Sequence, residues 1–554
     1  MLKKISFIII ILFSFLLFES ILITCQEQET YSQEKLYEDA RQLAATLEAV
    51  HPDPYINGGG KIAFHRRFQK MLASINQEGL TKKQFHNLLL PFVAAIEDSH
   101  TGILPSQQEG SLGPGLPFKF QVVENKLYVA AVQKKEHNSL IGATLVSVEG
   151  IPCDELLQRQ SRLRGIENLY GKLVFLSINL GRKNGLGSLL PEWNPSDPLS
   201  VMMQKRNGET RQILAEIPAK PADNWIFPDS KILRPSTSIS DMVFNFLDAD
   251  KKTALLIIDN MMRYREGCES WFASGHSEAL AMSQAAYQHF HKKAPPETKE
   301  ELLAELPSAT ETFSALVQEM QKAGTNNLIV DLRKNTGGNS GMRDILLYFL
   351  FGKKAFESLN DGYQIKKYSD LYFKTYASDS LEKINIEQKI PLTANDYNFL
   401  EESQYHEQEE NESDRIKARK EFLKQMSTFW KVYKTGKYHN PPYTPEKIVV
   451  LCSPWTFSSG FNMLTSLYNL GATIVGTPSA QPGNNFGDSL LFKLNNTGLR
   501  CFVSFKRIIT FPDDEEKGYV LRPHFELTYD KLASYNFDPN AEILWAVEIL
   551  SREQ

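Results

Sequence analysis

The chain is poor in the features that mark several protein classes. It has 5 cysteines in 554 residues, none in a CxxC spacing, which excludes a disulfide-stapled module and a zinc ribbon. Basic excess is missing too: a net charge of -5 leaves no electrostatic footprint for nucleic acid. At 42% hydrophobic and 23% charged residues the composition is that of an ordinary globular protein, and the length allows roughly three domains around an extensive core.

One long apolar run is present, at the start. "MLKKISFIIIILFSFLLFESILITCQEQ" sets Lys3 and Lys4 before a stretch that continues to Phe18, the pattern of an export signal over residues 1–25. Cys25 after "LIT" is similar to the lipid-attachment site of bacterial lipoproteins. The expected location is therefore outside the cytoplasm: periplasmic, extracellular, or attached to the outer membrane through a lipidated Cys25.

Residues 26–110 read as a helical domain. Leu36, Leu43, Leu47 and Val50 recur at helical spacing, as do Phe85, Leu88, Leu89, Phe92 and Ile96, and the segment closes on "EDSHTG". Residues 111–220 switch to short alternating strands with a Glu149-Gly150 turn and a helix "CDELLQRQ", a pattern similar to a PDZ module. From 235 onward, strand, loop and helix repeat, which predicts an α/β core. Two insertions are expected within it, a helical one over 262–323 and a charged one over 361–443 whose charges serve solvation.

Three loops carry groups suited to acyl transfer. In "WTFSSGFN" Ser458 and Ser459 open an apolar helix, where a hydroxyl is either an N-cap or a nucleophile standing on a strand-to-helix turn. "EDSHTG" offers His100 as a general base. "DLRKNTGGNSG" offers Gly337 and Gly338, where a bare backbone can approach an oxyanion together with the amide of Ser459.

In this order, and with "LIVDL" and "ATIVG" around them, the three loops resemble the tail-specific, or C-terminal processing, serine peptidases of the tricorn-core type. The resemblance runs over nearly all of the mature chain. It implies a crotonase-like ββα-spiral catalytic core, with Ser458 as nucleophile, Ser459 supplying an oxyanion amide, and either Gly337 or Gly338 supplying the other. One branch of the family uses a lysine base after the nucleophile helix, but "VGTPSAQPGNNFGD" contains none. The other branch uses a histidine preceded by a serine, which matches His100 and Ser99.

That branch also has a late acidic residue. Here "DDEEKGYVLRPHFEL" offers Glu515 or Glu516, with Glu516 the candidate, although His524 stands where the family has Asp. The implied activity is hydrolysis of polypeptides with no metal and no cofactor. An inactive peptide-binding protein on the same scaffold is the alternative, and an esterase a narrower one.

Overall fold

The computed structural model describes residues 30–104, 113–220, 224–355, 362–407 and 419–552. The expected signal and Cys25 lie outside these residues. Among the described residues no helix is long and apolar enough to cross a membrane, and Cys153, Cys268, Cys452 and Cys501 are free thiols.

The core is the α/β architecture expected. Its six-stranded sheet runs Met242–Phe246, Thr253–Ile258, Asn327–Asp331, Lys447–Cys452, Thr473–Gly476 and Phe525–Glu526 in spatial order; the first pair is antiparallel and the rest parallel. "TALLII" and "NLIVD" are buried at every position, as strands covered on both faces must be. Alternate side chains divide the labour. Leu256, Ile258, Leu328, Val330 and Val450 face the helices Ala309–Ala323, Gly341–Phe351 and Ser459–Asn469. Leu255, Ile257, Ile329, Val449 and Leu451 face the C-terminal helix Ala541–Arg552.

Two adjacent parallel strands, Asn327–Asp331 and Lys447–Cys452, therefore end side by side. Their C-terminal ends lead into the Gly337-Gly338 loop and into the Ser458 turn. The loop ends at the carboxyl edge of a parallel sheet are where such folds gather ligands.

The helical segment packs three helices, Gln33–Val50, Gly60–Ala73 and Lys82–Ala94, against the long hairpin of Asn484–Lys493 and Arg500–Ile509, sharing a core with Leu490, Leu499, Val503 and Phe505. The next segment forms an antiparallel sheet of Phe118–Val123, Lys126–Val132, Thr144–Val148, Leu199–Gln204 and Thr210–Ala215 around the helix Leu169–Leu180.

Both insertions are tied into the rest of the structure. The end of the first, Ala309–Ala323, buries Phe313, Leu316, Val317 and Met320 in the main core as the crossover between two parallel strands. The second does more than solvate itself. Its strand Tyr363–Lys367 extends the hairpin sheet, and the buried Lys367 ammonium donates to the carbonyl of Glu48 at 2.6 Å, tying it to the helical segment.

Candidate active site

Ser458 occupies a backbone conformation that few non-glycine residues adopt, φ 52° and ψ -125°, at the N-cap of Ser459–Asn469. Such geometry costs ~1–3 kcal/mol and persists only where its surroundings impose it. Its side chain makes no cap hydrogen bond, which removes the capping explanation for this serine. The turn is held from outside. Thr456 Oγ1 donates to the Leu332 carbonyl at 2.8 Å, Phe457 N–H to the Asn335 carbonyl at 2.8 Å, and Ser458 N–H to Gln481 Oε1 at 2.7 Å.

The glycine loop presses directly on this turn. A Cβ on Gly337 would stand 2.6 Å from Ser458 Cβ, and one on Gly338 would stand 2.1 Å from the Met261 carbonyl carbon. Both glycines have positive φ, 97° and 141°, so neither the space nor the backbone admits another residue. Asn335, fully buried, fixes the loop: its Nδ2 donates to the Ile258 carbonyl at 3.0 Å and its Oδ1 accepts the Gly337 N–H at 2.9 Å.

The Gly337 amide is thus engaged. The amides of Gly338 and Ser459 have no acceptor among the described residues. The Ser459 side chain adds a contact that its sequence role as a backbone donor did not include, since its hydroxyl donates to the Gly338 carbonyl at 2.6 Å and meets Ser340 Oγ at 2.9 Å.

His100 reaches this edge from more than three hundred residues away because its turn is sewn to the hairpin. Gly102–Ile103 pairs with Cys501 and Phe502, Ser489 Oγ donates to the His100 carbonyl at 2.6 Å, and Ser504 Oγ donates to Asp98 at 2.6 Å. Asp98 organises the turn from below. It accepts the His100 N–H at 2.8 Å, the Thr101 hydroxyl at 2.5 Å and the Nε2 hydrogen of the buried His51 at 3.2 Å. Burial opposes ionisation of Asp98, but the hydrogen bond and charge of His51 outweigh it and hold the carboxyl below its usual range.

The His100 ring stacks on Phe457, the neighbour of Ser458, with centroids 4.9 Å apart. Burial lowers its pKa, opposed by the charges of Asp98 and Asp488; a depressed imidazole is neutral and able to accept a proton near pH 7. Ser99 Oγ donates to Glu167 Oε2 at 2.6 Å. Burial, and then the charge of Asp98, push the Glu167 carboxyl up to about 8.

The predicted site residues fall into two sets. Ser458, Ser459, Gly337 and Gly338 meet, and His100 with Ser99 stands beside them. Glu516 does not join them: it is exposed on the short helix Glu515–Tyr519, and no hydrogen bond among the described residues links it to Ser99 or His100. His524 is structural, its Nδ1 accepting the Ile474 N–H at 2.9 Å. Sequence reasoning missed His51, Asn335, Gln481 and Glu167. Asn335 and Gln481 lay inside stretches already singled out, but only tertiary contacts reveal what they hold.

Residues 290–508 match the model of peptidase family S41. That region, less than half of the chain, is similar to a family of peptidases. Solved structures of mature CPAF share its fold. The complex with lactacystin aligns at a TM-score of 0.55 with 16% identity, covering 92% of this chain and 97% of that one. Mature CPAF alone aligns at 0.50 with 15% identity, covering 92% and 96%. No curated protein matched the chain.

Proposed function

We propose that this protein is an exported serine endopeptidase in which Ser458 attacks the substrate carbonyl and His100 takes its proton. The hydroxyl oxygen forms a bond to the carbonyl carbon while the imidazole receives the hydrogen. The negative charge that develops on the carbonyl oxygen is met by the N–H groups of Gly338 and Ser459. Collapse releases the amine, protonated by His100, and leaves an acyl group on Ser458; water, deprotonated by the same imidazole, then frees the acid.

The observation that carries the reading is the backbone of Ser458. A serine held at φ 52°, without a capping bond and pressed against a positive-φ glycine, is costly unless its hydroxyl is to be displayed to a substrate. Of the two glycines, Gly338 is favoured as donor because the Gly337 amide is already bonded to Asn335.

Export, and lipid attachment at Cys25, follow from the first 25 residues and belong to the same proposal. So does presentation of a substrate end by the antiparallel module of residues 113–220, through addition of a strand to its edge.

A fluorophosphonate probe tests the reading. Labelling should fall on the peptide containing Ser458 and disappear in Ser458→Ala together with casein turnover. A folded protein that takes no label and cleaves no casein is an inactive binding protein instead.

A further inference from the structure

We propose that Glu167, carried by the segment between the helices Cys153–Ser161 and Leu169–Leu180, supplies the carboxyl group that orients His100 for proton transfer. This rests on Ser458 and His100 acting as proposed above. It assigns the acidic role to a residue outside the acidic run 513–516.

Two unmet groups face the same small space. His100 Nδ1 and Glu167 Oε1 are both out of solvent and both lack a hydrogen-bond partner. A ring nitrogen of His100 and carboxyl oxygens of Glu167 and Asp98 lie within 4.8 Å of one another. An orphan carboxyl oxygen on one residue and an orphan ring nitrogen on its neighbour are the two halves of an incomplete hydrogen bond, which the orienting role of Glu167 would complete. With Nδ1–H donated to Glu167, Nε2 is left with its lone pair free for the serine proton.

The neighbouring acids are already committed. Asp98 Oδ1 takes the His100 amide, and its Oδ2 takes His51, Thr101 and Ser504. Asp488 is paired with Lys506. Of these acids Glu167 is the one with a solvent-excluded oxygen that lacks a partner, while its other oxygen is anchored by Ser99.

The loop around Glu167 is fitted to the site on both sides. Gly165 packs so closely on the base turn that a Cβ there would stand 3.0 Å from Asp98 N. Arg164 Nη2 donates to the Ser99 carbonyl at 3.0 Å, with its guanidinium over the rings of Phe175 and Phe502. On the other side Asn168 Nδ2 donates to the Ser479 carbonyl at 3.1 Å, two residues from the Gln481 that holds Ser458. The carboxyl is therefore held between the elements that carry base and nucleophile.

Full-length protein with E167Q or E167D tests this through casein turnover and probe labelling across pH. The charged groups facing the pair are Asp98, Asp488 and Arg164, with Lys506 behind Asp488, and all are kept. E167Q should lower kcat about a hundredfold above pH 8, leave KM within about twofold, and lose the rise in kcat that the wild type shows as Glu167 ionises through about 8. E167D, which keeps a carboxylate, should recover part of the rate. The inference is overturned if E167Q retains the wild-type rate and its rise through pH 8, or if its loss simply tracks a fall in Tm and E167D does no better. It is equally overturned if E516Q is the variant that loses rate while E167Q does not. Wild-type protein that takes no label at Ser458 sinks the nucleophile assignment, and this inference with it.

Discussion

His100 lies nearly flat on the ring of Phe457, 23° from parallel, so the residue preceding the proposed nucleophile fixes the plane of the proposed base. The stack sets how the imidazole can turn. Tilting the ring out of that plane would cost the aromatic contact.

The strain at Ser458 predicts an ordered set of variants. Ser458→Ala keeps a Cβ at φ 52° and should lose turnover by several orders of magnitude with its Tm close to wild type. Ser458→Gly should be equally inactive but more stable than Ser458→Ala by about 1 kcal/mol, since glycine adopts that backbone without penalty. Thermal melts of the two read the difference directly, and equal Tm values would mean that the turn is unstrained.

Ser459→Ala keeps the backbone amide but loses the bond to the Gly338 carbonyl. That bond orients the peptide plane next to the proposed oxyanion donor. The expected outcome is a roughly tenfold fall in kcat with a stability loss of about 1 kcal/mol. Unchanged kcat would show that the loop holds its shape without the hydroxyl.

Gln481 accepts the Ser458 amide from a site that is 2% exposed. Gln481→Leu strands that N–H and should cost ~1–3 kcal/mol in denaturant unfolding, with activity falling further than stability alone explains. Gln481→Glu, which keeps an acceptor oxygen, should lose less of both.

Glu167 also predicts a pH dependence of stability. Its carboxyl titrates at about 8 in the folded protein, against roughly 4.3 when unfolded. A raised pKa means that the folded state favours the protonated form, so this contribution is complete below about pH 4 and is lost as pH rises through 8. Wild-type Tm should therefore decline relative to E167Q between pH 5 and pH 9. Parallel Tm curves would count against a buried, titrating carboxyl at this position.

What could be read from the sequence was what the backbone demands of single residues. Gly337 and Gly338 are glycines because any Cβ would meet Ser458 or Met261, and that requirement is visible in the letters themselves. Ser458 could be singled out for the same reason, by its position at the end of a buried strand. The carboxylate beside His100 could not. Glu167 sits in "RGIENLYG" with no pattern around it, and its meaning comes from a loop folded against residues nearly seventy positions earlier and three hundred later. The charged insertion was misjudged likewise, because the burial of Lys367 against the carbonyl of Glu48 is invisible in composition.

The stitching of the His100 turn to Ser489 and Ser504 carries a consequence for biosynthesis. Residue 100 leaves the ribosome early, yet its seat is a hairpin that ends at residue 509. Contacts so distant along the chain form late. A nascent chain therefore lacks an assembled form of the proposed site until nearly all of it has been made.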